Sequence, residues 1–285
     1  MTERDPIPRI NHYFWNAYNS NFGDALGADI VAHFSGGQVR PIDLNRERSF
    51  VKHARDKGLF GLGSIFVFVE DHDIVWGTGV NLRWPPYKLK TGPDIRAVRG
   101  PLTADHLRRE IGIDCPSVFG DPAQLLHRLI DIPPHQPVRR FGLIPHYRDI
   151  PVVPKALKEI ATHKGWRGID ALRRNNTIYP FRPWREIVEF IAGCEMVISS
   201  SLHGLIVAEQ LGVPAVWWRS DHLPSTRTEH SFKYNDYYAA TDRDLDNWST
   251  SLGQALQSTS GFQKYSFDSK ALEEAFPHEL FSQTC

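Results

Sequence analysis

His203 follows three hydroxyl side chains and a leucine, Ser199, Ser200, Ser201 and Leu202, and directly precedes Gly204. An imidazole gives or takes a proton near neutral pH. Small hydroxyl residues where a strand ends and a helix begins leave backbone N–H groups free at the positive end of the helix dipole. Such a turn suits a phosphate or carboxylate with the imidazole beside it. The bland alternative is a histidine packed under a helix cap, and the flanking Ser-Ser-Ser and Gly204 weigh against it.

Other groups with chemical potential lie further off. Asn21, Gly23 and Asp24 occupy a polar, Gly-containing turn, where Asp24 reads equally as a helix cap or a catalytic carboxylate. His146 follows the apolar run Phe141–Ile144, either in a site loop or bonded to a loop carbonyl. Arg99 closes the run Asp94–Val98 and can fork onto a carboxylate or phosphate, or pair with a neighbour such as Asp121. Arg173, Arg174, Arg182 and Arg185, with Arg167 upstream, read as a solvated basic face or an anion clamp. The 13 histidines include no His-Glu-x-x-His and no pair on one helix face, so no metal is expected. Glu70-Asp71-His72-Asp73 reads as a solvated turn. Cys115, Cys194 and Cys285 are odd in number and widely spaced, which excludes a disulfide framework.

The elements that must position these groups alternate between strand and helix. Met196–Ile198 and Pro214–Trp218 read as strands flanking a helix over Leu202–Leu211, which Gly212 and Pro214 stop. Arg9–Trp15, Asp73–Trp76, Asp94–Val98, Ser117–Phe119 and Phe141–Ile144 are further strand-like runs, each ending in a turn. The apolar run Ile65–Val69 reads as a strand behind the glycine-rich stretch Gly58–Ser64, whose spacing does not fit a dinucleotide fingerprint. Helices are expected from near Gly23, from Pro101 to Ile111, over Lys155–His163, over Pro183–Ala192 and over Asp268–Phe276. Alternation at this pace predicts a parallel α/β fold with ligand loops at the carboxyl ends of strands.

Asp131–Pro137, with three prolines in seven residues, is the expected linker. A chain of 285 residues accommodates two halves with sizeable cores, and a cleft between them would hold the ligand. Hydrophobic residues at 41%, charged residues at 23% and 33 basic against 33 acidic side chains exclude a global field for nucleic acid. No apolar run reaches the length of about 20 residues that spans a bilayer, and the start lacks a signal-peptide layout, so a cytoplasmic location is expected.

The string Ser-Ser-Ser-Leu-His-Gly-Leu-Ile-Val-Ala-Glu, then Leu-Gly-Val-Pro-Ala, resembles the signature of the polysaccharide pyruvyl transferase family, here its exopolysaccharide ketal-pyruvate transferase branch. Asn-Phe-Gly-Asp, Trp-Gly-Thr-Gly, Arg-Gly-Pro, Gly-Asp-Pro, Ile-Pro-His-Tyr and Phe232–Tyr238 match further family pieces in order. The resemblance implies two Rossmann-like parallel-sheet domains facing a cleft, GT-B-like: residues 1–132 on the acceptor side, 138–265 on the donor side, and a terminal helix in 266–285 packing back on the first. It implies pyruvyl transfer from phosphoenolpyruvate, without a bound cofactor, to a saccharide, commonly lipid-linked at the inner face of the membrane, giving a cyclic ketal and phosphate. His203 would be the acid, Asp24 or His146 the base, and Ser199, Ser200, Ser201, Leu202 and Gly204 the donor turn. One branch carries Arg before Leu-His-Gly where this chain has Ser201, so the cation would come from Arg148, Arg182, Arg219 or Lys233. Asn21, Gly23, Arg99 and the aromatics Trp15, Trp76 and Tyr18 would face the acceptor. The alternative is a GT-B glycosyltransferase with Glu209 on a nucleotide ribose; a non-catalytic binding protein is the third class.

Overall fold

The computed structural model describes residues 10–15, 21–46, 57–82, 87–164, 169–220, 227–244, 248–258 and 267–281; Tyr18 and Arg167 lie outside them. β1 (Ile10–Phe14), β2 (Val39–Asp43), β3 (Gly58–Phe60), β4 (Ile74–Trp76) and β5 (Asp94–Ala97) form one sheet in the order β2-β1-β3-β4-β5. β6 (Gly142–Ile144), β7 (Val197–Ser199), β8 (Ala215–Trp218) and β9 (Trp248–Ser249) form a second, in the order β6-β7-β8-β9. Every pairing among the described residues is parallel. Residues 131–137 between the sheets hold no helix or strand. The parallel pairing is what the strand–helix alternation predicts, and two Rossmann-like sheets are what the family resemblance implied.

Most of these strands are apolar on both faces, as parallel strands covered on each side must be. Successive side chains point to opposite faces, which divides them between clusters. Ile74 and Trp76 enter a central cluster and Val75 an outer one; Val197 and Trp217 enter the central cluster and Ile198, Val216 and Trp218 another outer one. The central cluster runs on from Leu26 and Trp76 to Leu205 and Trp217, so the two halves share one core. α1 (Phe22–Phe34) is wedged between them: Phe22 N–H donates to the Pro180 carbonyl at 2.8 Å. From α5 (Trp184–Ala192), Trp184 Nε1–H donates to Asp29 Oδ2 at 2.7 Å. Trp184, Ile187, Val188 and Ile191, one helical row, are all buried there.

Three elements differ from the sequence expectation. Ile65–Val69 is not a strand: Gly63, at φ +93°, turns the chain off the sheet, and Phe66–Phe68 is a 3-10 turn whose Phe66 caps the outer core. The strand lies earlier, at β3, where Gly58 N–H donates to Asp73 Oδ1 at 2.8 Å. Ser117–Phe119 is reduced to a single bridge between Phe119 and Val98, because the chain turns at once into a 3-10 helix, Pro122–Arg128, capped by Asp121. β2 is an edge strand with two exposed residues, Arg40 and Pro41, which blunt its periodic signal.

α9 (Ser269–Glu274) packs on the first half. Trp76 Nε1–H donates to the Leu272 carbonyl at 2.7 Å, and Phe276 meets Trp76 edge-on with ring centroids 4.8 Å apart. Phe276→Ala should therefore lower stability by about 3–5 kcal/mol, read as a reduced urea midpoint.

Candidate active site

The carboxyl ends of both sheets open on one cavity of about 150 Å³. In the first sheet the cavity sits where the strand order reverses, between β1 and β3, and is lined by Trp15 behind β1 and by Gly63, Ser64 and Ile65 behind β3. An open α/β sheet offers a ligand crevice at this point. Val80, Asn81, Arg99 and Asp121 complete that side, with Asn21 and Asp24 from the α1 turn. The second sheet contributes His146, Tyr147 and Arg148 behind β6, and Ser201, Leu202 and His203 behind β7; Lys233 comes from α7 (Arg227–Ala239).

α6 (Leu202–Gln210) begins at the cavity. Its N-cap, Ser201, makes no side-chain capping bond, and the first backbone bond of the helix is Leu205 N–H to Ser201 O at 3.3 Å. The Leu202, His203 and Gly204 amides therefore precede the helix ladder at its positive end. Ser199 Oγ explains the turn: it donates to the Ile144 carbonyl at 2.8 Å and accepts the Ser201 N–H at 3.0 Å. Ser200 Oγ accepts the His146 N–H at 2.8 Å, which joins the two site loops of the second sheet. Gly204 is needed for close approach, since a Cβ there would stand 2.3 Å from Ser199 Oγ.

His203 projects across the seam. A Cβ on Gly23 would lie 1.8 Å from its Nδ1, so the bare backbone of α1 is what admits the ring. Its Nε2 is buried without a hydrogen-bond partner among the described residues and stands 3.9 Å from Asp121 Oδ2, which also lacks one there. Burial first, then the Lys233 and Arg99 charges, lower the His203 pKa to about 3, so the free cleft holds a neutral imidazole. Burial raises Asp121 to about 6 and Asp24 to about 8. Asn21, which stands at the N-cap of α1, donates its side-chain amide to Asp24 rather than capping the helix. Asp24 is thus a protonated acid at neutral pH.

Among the described residues three cations reach the cavity. Arg99 is buried and ion-paired; Arg148 is exposed, with its guanidinium 5.7 Å from the Tyr147 ring centroid. Lys233 is half-buried, its Nζ 5.1 Å from the Tyr234 ring centroid, and burial followed by the Arg99 charge lowers its pKa to about 8. With Asp24 protonated, the cleft favours an anion.

Trp15, Asn21, Asp24, Arg99, His146, Arg148, Ser201, Leu202, His203 and Lys233, all singled out in the sequence, meet around the cavity. Ser199, Ser200, Gly23 and Gly204 shape its turns without lining it. Trp76 is fully buried in the central core, Arg182 is exposed and paired with Glu186, and Arg219 stacks over Trp248 at 4.0 Å, all outside the lining. Arg173 and Arg174 are exposed on α4 (Ile169–Asn175). Glu209, expected on a ribose under the glycosyltransferase alternative, is buried against Arg243, Tyr237 and Tyr238. Asp121 beside His203 and Tyr147 in the lining were not expected; the only sequence signals were the Gly-Asp-Pro and Ile-Pro-His-Tyr turns. Among the described residues no three His, Cys, Asp or Glu side chains stand together as metal ligands, and no helix is long and apolar enough to cross a membrane.

Two Rossmann-like parallel sheets facing one cationic cleft define a GT-B-like α/β protein. Residues 2–222 match the family described as polysaccharide pyruvyl transferase, and the chain belongs to that family. It is 28% identical over 191 residues to an uncharacterized protein of Acanthamoeba polyphaga mimivirus, covering 66% of this chain and 61% of that one. It is 26% identical over 235 residues to the succinoglycan biosynthesis protein ExoV of Rhizobium meliloti, covering 79% and 63%. The chain thus spans about three-fifths of the length of these curated relatives. Among solved structures it is similar to an uncharacterized Klebsiella pneumoniae protein (TM-score 0.46, 14% identity, 86% of this chain and 94% of that one). It is also similar to the wall teichoic acid polymerase TagF (TM-score 0.43, 10% identity, 88% and 86%).

Asp24 gives a pH-dependent prediction. Its folded pKa of about 8 lies above the ordinary 3.8, so the folded state binds the extra proton between these values. The stability it contributes is full below about pH 4 and lost as pH rises to about 8. Asp24→Asn removes that loss. The urea midpoint of the variant relative to the parent should rise from pH 5 to pH 8; a constant difference would count against a buried, protonated Asp24.

Proposed function

We propose that this protein transfers a pyruvyl group from phosphoenolpyruvate to two hydroxyls of one sugar in an exopolysaccharide or its lipid-linked precursor. The product is a cyclic ketal, and phosphate is released. The observation that carries this reading is the uncapped start of α6 with an imidazole on its first turn whose Nε2 has no partner among the described residues, faced by Arg99, Arg148 and Lys233 in a member of this family. A donor bearing both carboxylate and phosphate matches that surplus of positive charge.

The chemistry requires a proton on the donor's methylene carbon, which turns the carbon bearing the phosphate oxygen into an oxocarbenium ion. One sugar hydroxyl adds there, the C–O bond to phosphate breaks with its electron pair, and the second hydroxyl closes the ring. The two hydroxyls release two protons; the methylene takes one and the departing phosphate the other. Asp24, protonated in the free cleft, is suited to supply the methylene proton and then, as a carboxylate, to accept one from a hydroxyl. His203 is neutral until the donor arrives. An anion on the α6 start favours the imidazolium, as does Asp121 at 3.9 Å, and His203 then protonates the leaving phosphate. His146 and Trp15, both in the cavity lining, would flank the sugar. Work at a lipid-linked acceptor would place the protein at the inner face of the membrane.

The test compares thermal shifts with phosphoenolpyruvate and with UDP- and CMP-sugars. Phosphoenolpyruvate alone should raise the melting temperature, since a ligand of the native state adds RT ln(1 + [L]/Kd); a shift with a nucleotide sugar only would overturn the reading in favour of a glycosyltransferase. Turnover should fall as pH rises through about 8, where Asp24 gains negative charge and Lys233 loses its positive one. Lys233→Arg, which keeps its charge there, should soften that decline.

A further inference from the structure

Arg99 uses two of its three guanidinium nitrogens within the protein. Nε–H donates to Asp236 Oδ2 at 3.0 Å and Nη1–H to Ser64 Oγ at 2.7 Å. Nη2 is buried with no partner among the described residues, and the residue, only 1% exposed, lines the cavity. Asp236 belongs to α7 in the second half and is itself 0% exposed. Its Oδ1 accepts the Thr103 N–H at 2.9 Å and its Oδ2 the Thr103 hydroxyl at 2.7 Å, both from the first turn of α2 (Pro101–Ile111). Two glycines make room for the pair. A Cβ on Gly79 would stand 2.4 Å from Arg99 Cζ, and one on Gly100 would stand 2.0 Å from the Asp236 carbonyl oxygen.

We infer that Asp236 is a positioning residue that reaches from the second half to Arg99 and fixes its guanidinium so that Nη2–H donates to an anionic oxygen of the donor at the start of α6. This rests on the donor reading above. A buried guanidinium with an unused N–H group is costly. Arg99 lines the ligand-sized cavity, and a pair serving stability alone has no reason to leave one of its nitrogens unmatched. α7 is also tied to the donor turn: Tyr234 O–H donates to the Ser200 carbonyl at 2.7 Å, and Tyr237 O–H to Glu209 Oε2 at 2.6 Å. Lys233, three residues before Asp236, shares its helix face and lines the same cavity. One helix thereby presents its own cation, orients a second across the seam, and anchors α6. Ser201 stands where one branch of the family has an arginine, and Arg99 would supply the missing guanidinium from the other half.

The experiment measures phosphoenolpyruvate affinity by calorimetry and KM and kcat with an acceptor, for the parent, Asp236→Asn, Arg99→Ala and the double variant. Asp236→Asn should raise Kd and KM for phosphoenolpyruvate by about tenfold or more, the scale of one charge-assisted hydrogen bond, with a much smaller change in kcat. The double variant should bind no more weakly than Arg99→Ala alone, because Asp236 acts through Arg99. Additive losses, or parental affinity in Asp236→Asn, would overturn the inference. If circular dichroism finds Asp236→Asn unfolded, Asp236→Glu, which retains the buried charge but displaces it, takes its place with the same expected rise and the same overturning result. A parent that binds no phosphoenolpyruvate overturns the donor reading and this inference with it. A parent that binds it, with both Asp236 variants unchanged, overturns this inference alone.

Discussion

A charge taken out of water must be met by another charge or by hydrogen bonds, and at the seam between the two sheets the partner comes from the other half. Arg99 of the first half is met by Asp236 of the second, and Asp29 on α1 receives the Trp184 indole. Inside the second half, Glu209 on α6 is met by Arg243 and two tyrosines from α7 and its end. These contacts hold the carboxyl ends of the strands face to face and make one shared core of what the topology would otherwise leave as two.

The same desolvation sets the chemistry of the cleft. Burial leaves His203 neutral and Asp24 protonated and brings Lys233 toward neutrality. None of these states is the intrinsic one for its side chain in water. A bound anion would reverse the balance at the imidazole, so the site answers its ligand through the ligand's charge. Donors that are already oriented in a low-dielectric cleft need little reorganisation when charge develops.

A parallel α/β sheet pair hosts many activities, and its topology alone does not choose among them. What narrows the choice is the set of groups at the α6 start. Arg99, Arg148 and Lys233 approach the same space from three different segments.

Local pattern was enough to read most of the elements, because helix and strand are encoded in periodicity and in Gly, Pro and hydroxyl punctuation over about ten residues. The α6 turn, α2 between Pro101 and Gly112, the α5 row from Trp184 to Ile191 and the prolines of 131–137 were all legible in this way. Ile65–Val69 was not, since one glycine at positive φ redirected an apolar run. Partner choice was decided only in three dimensions. Arg99 pairs with Asp236, 137 residues away, rather than with Asp121, and Asp121 stands instead beside His203. Trp76, an aromatic that by type could serve a sugar, is buried under α9, while Trp15 lines the cavity. The amino-acid sequence by itself determined which residues could do chemistry and which elements carry them. Which of them share a cavity, and in what protonation state, depends on burial and on contacts between distant segments, and those exist only once the two sheets close on their common core.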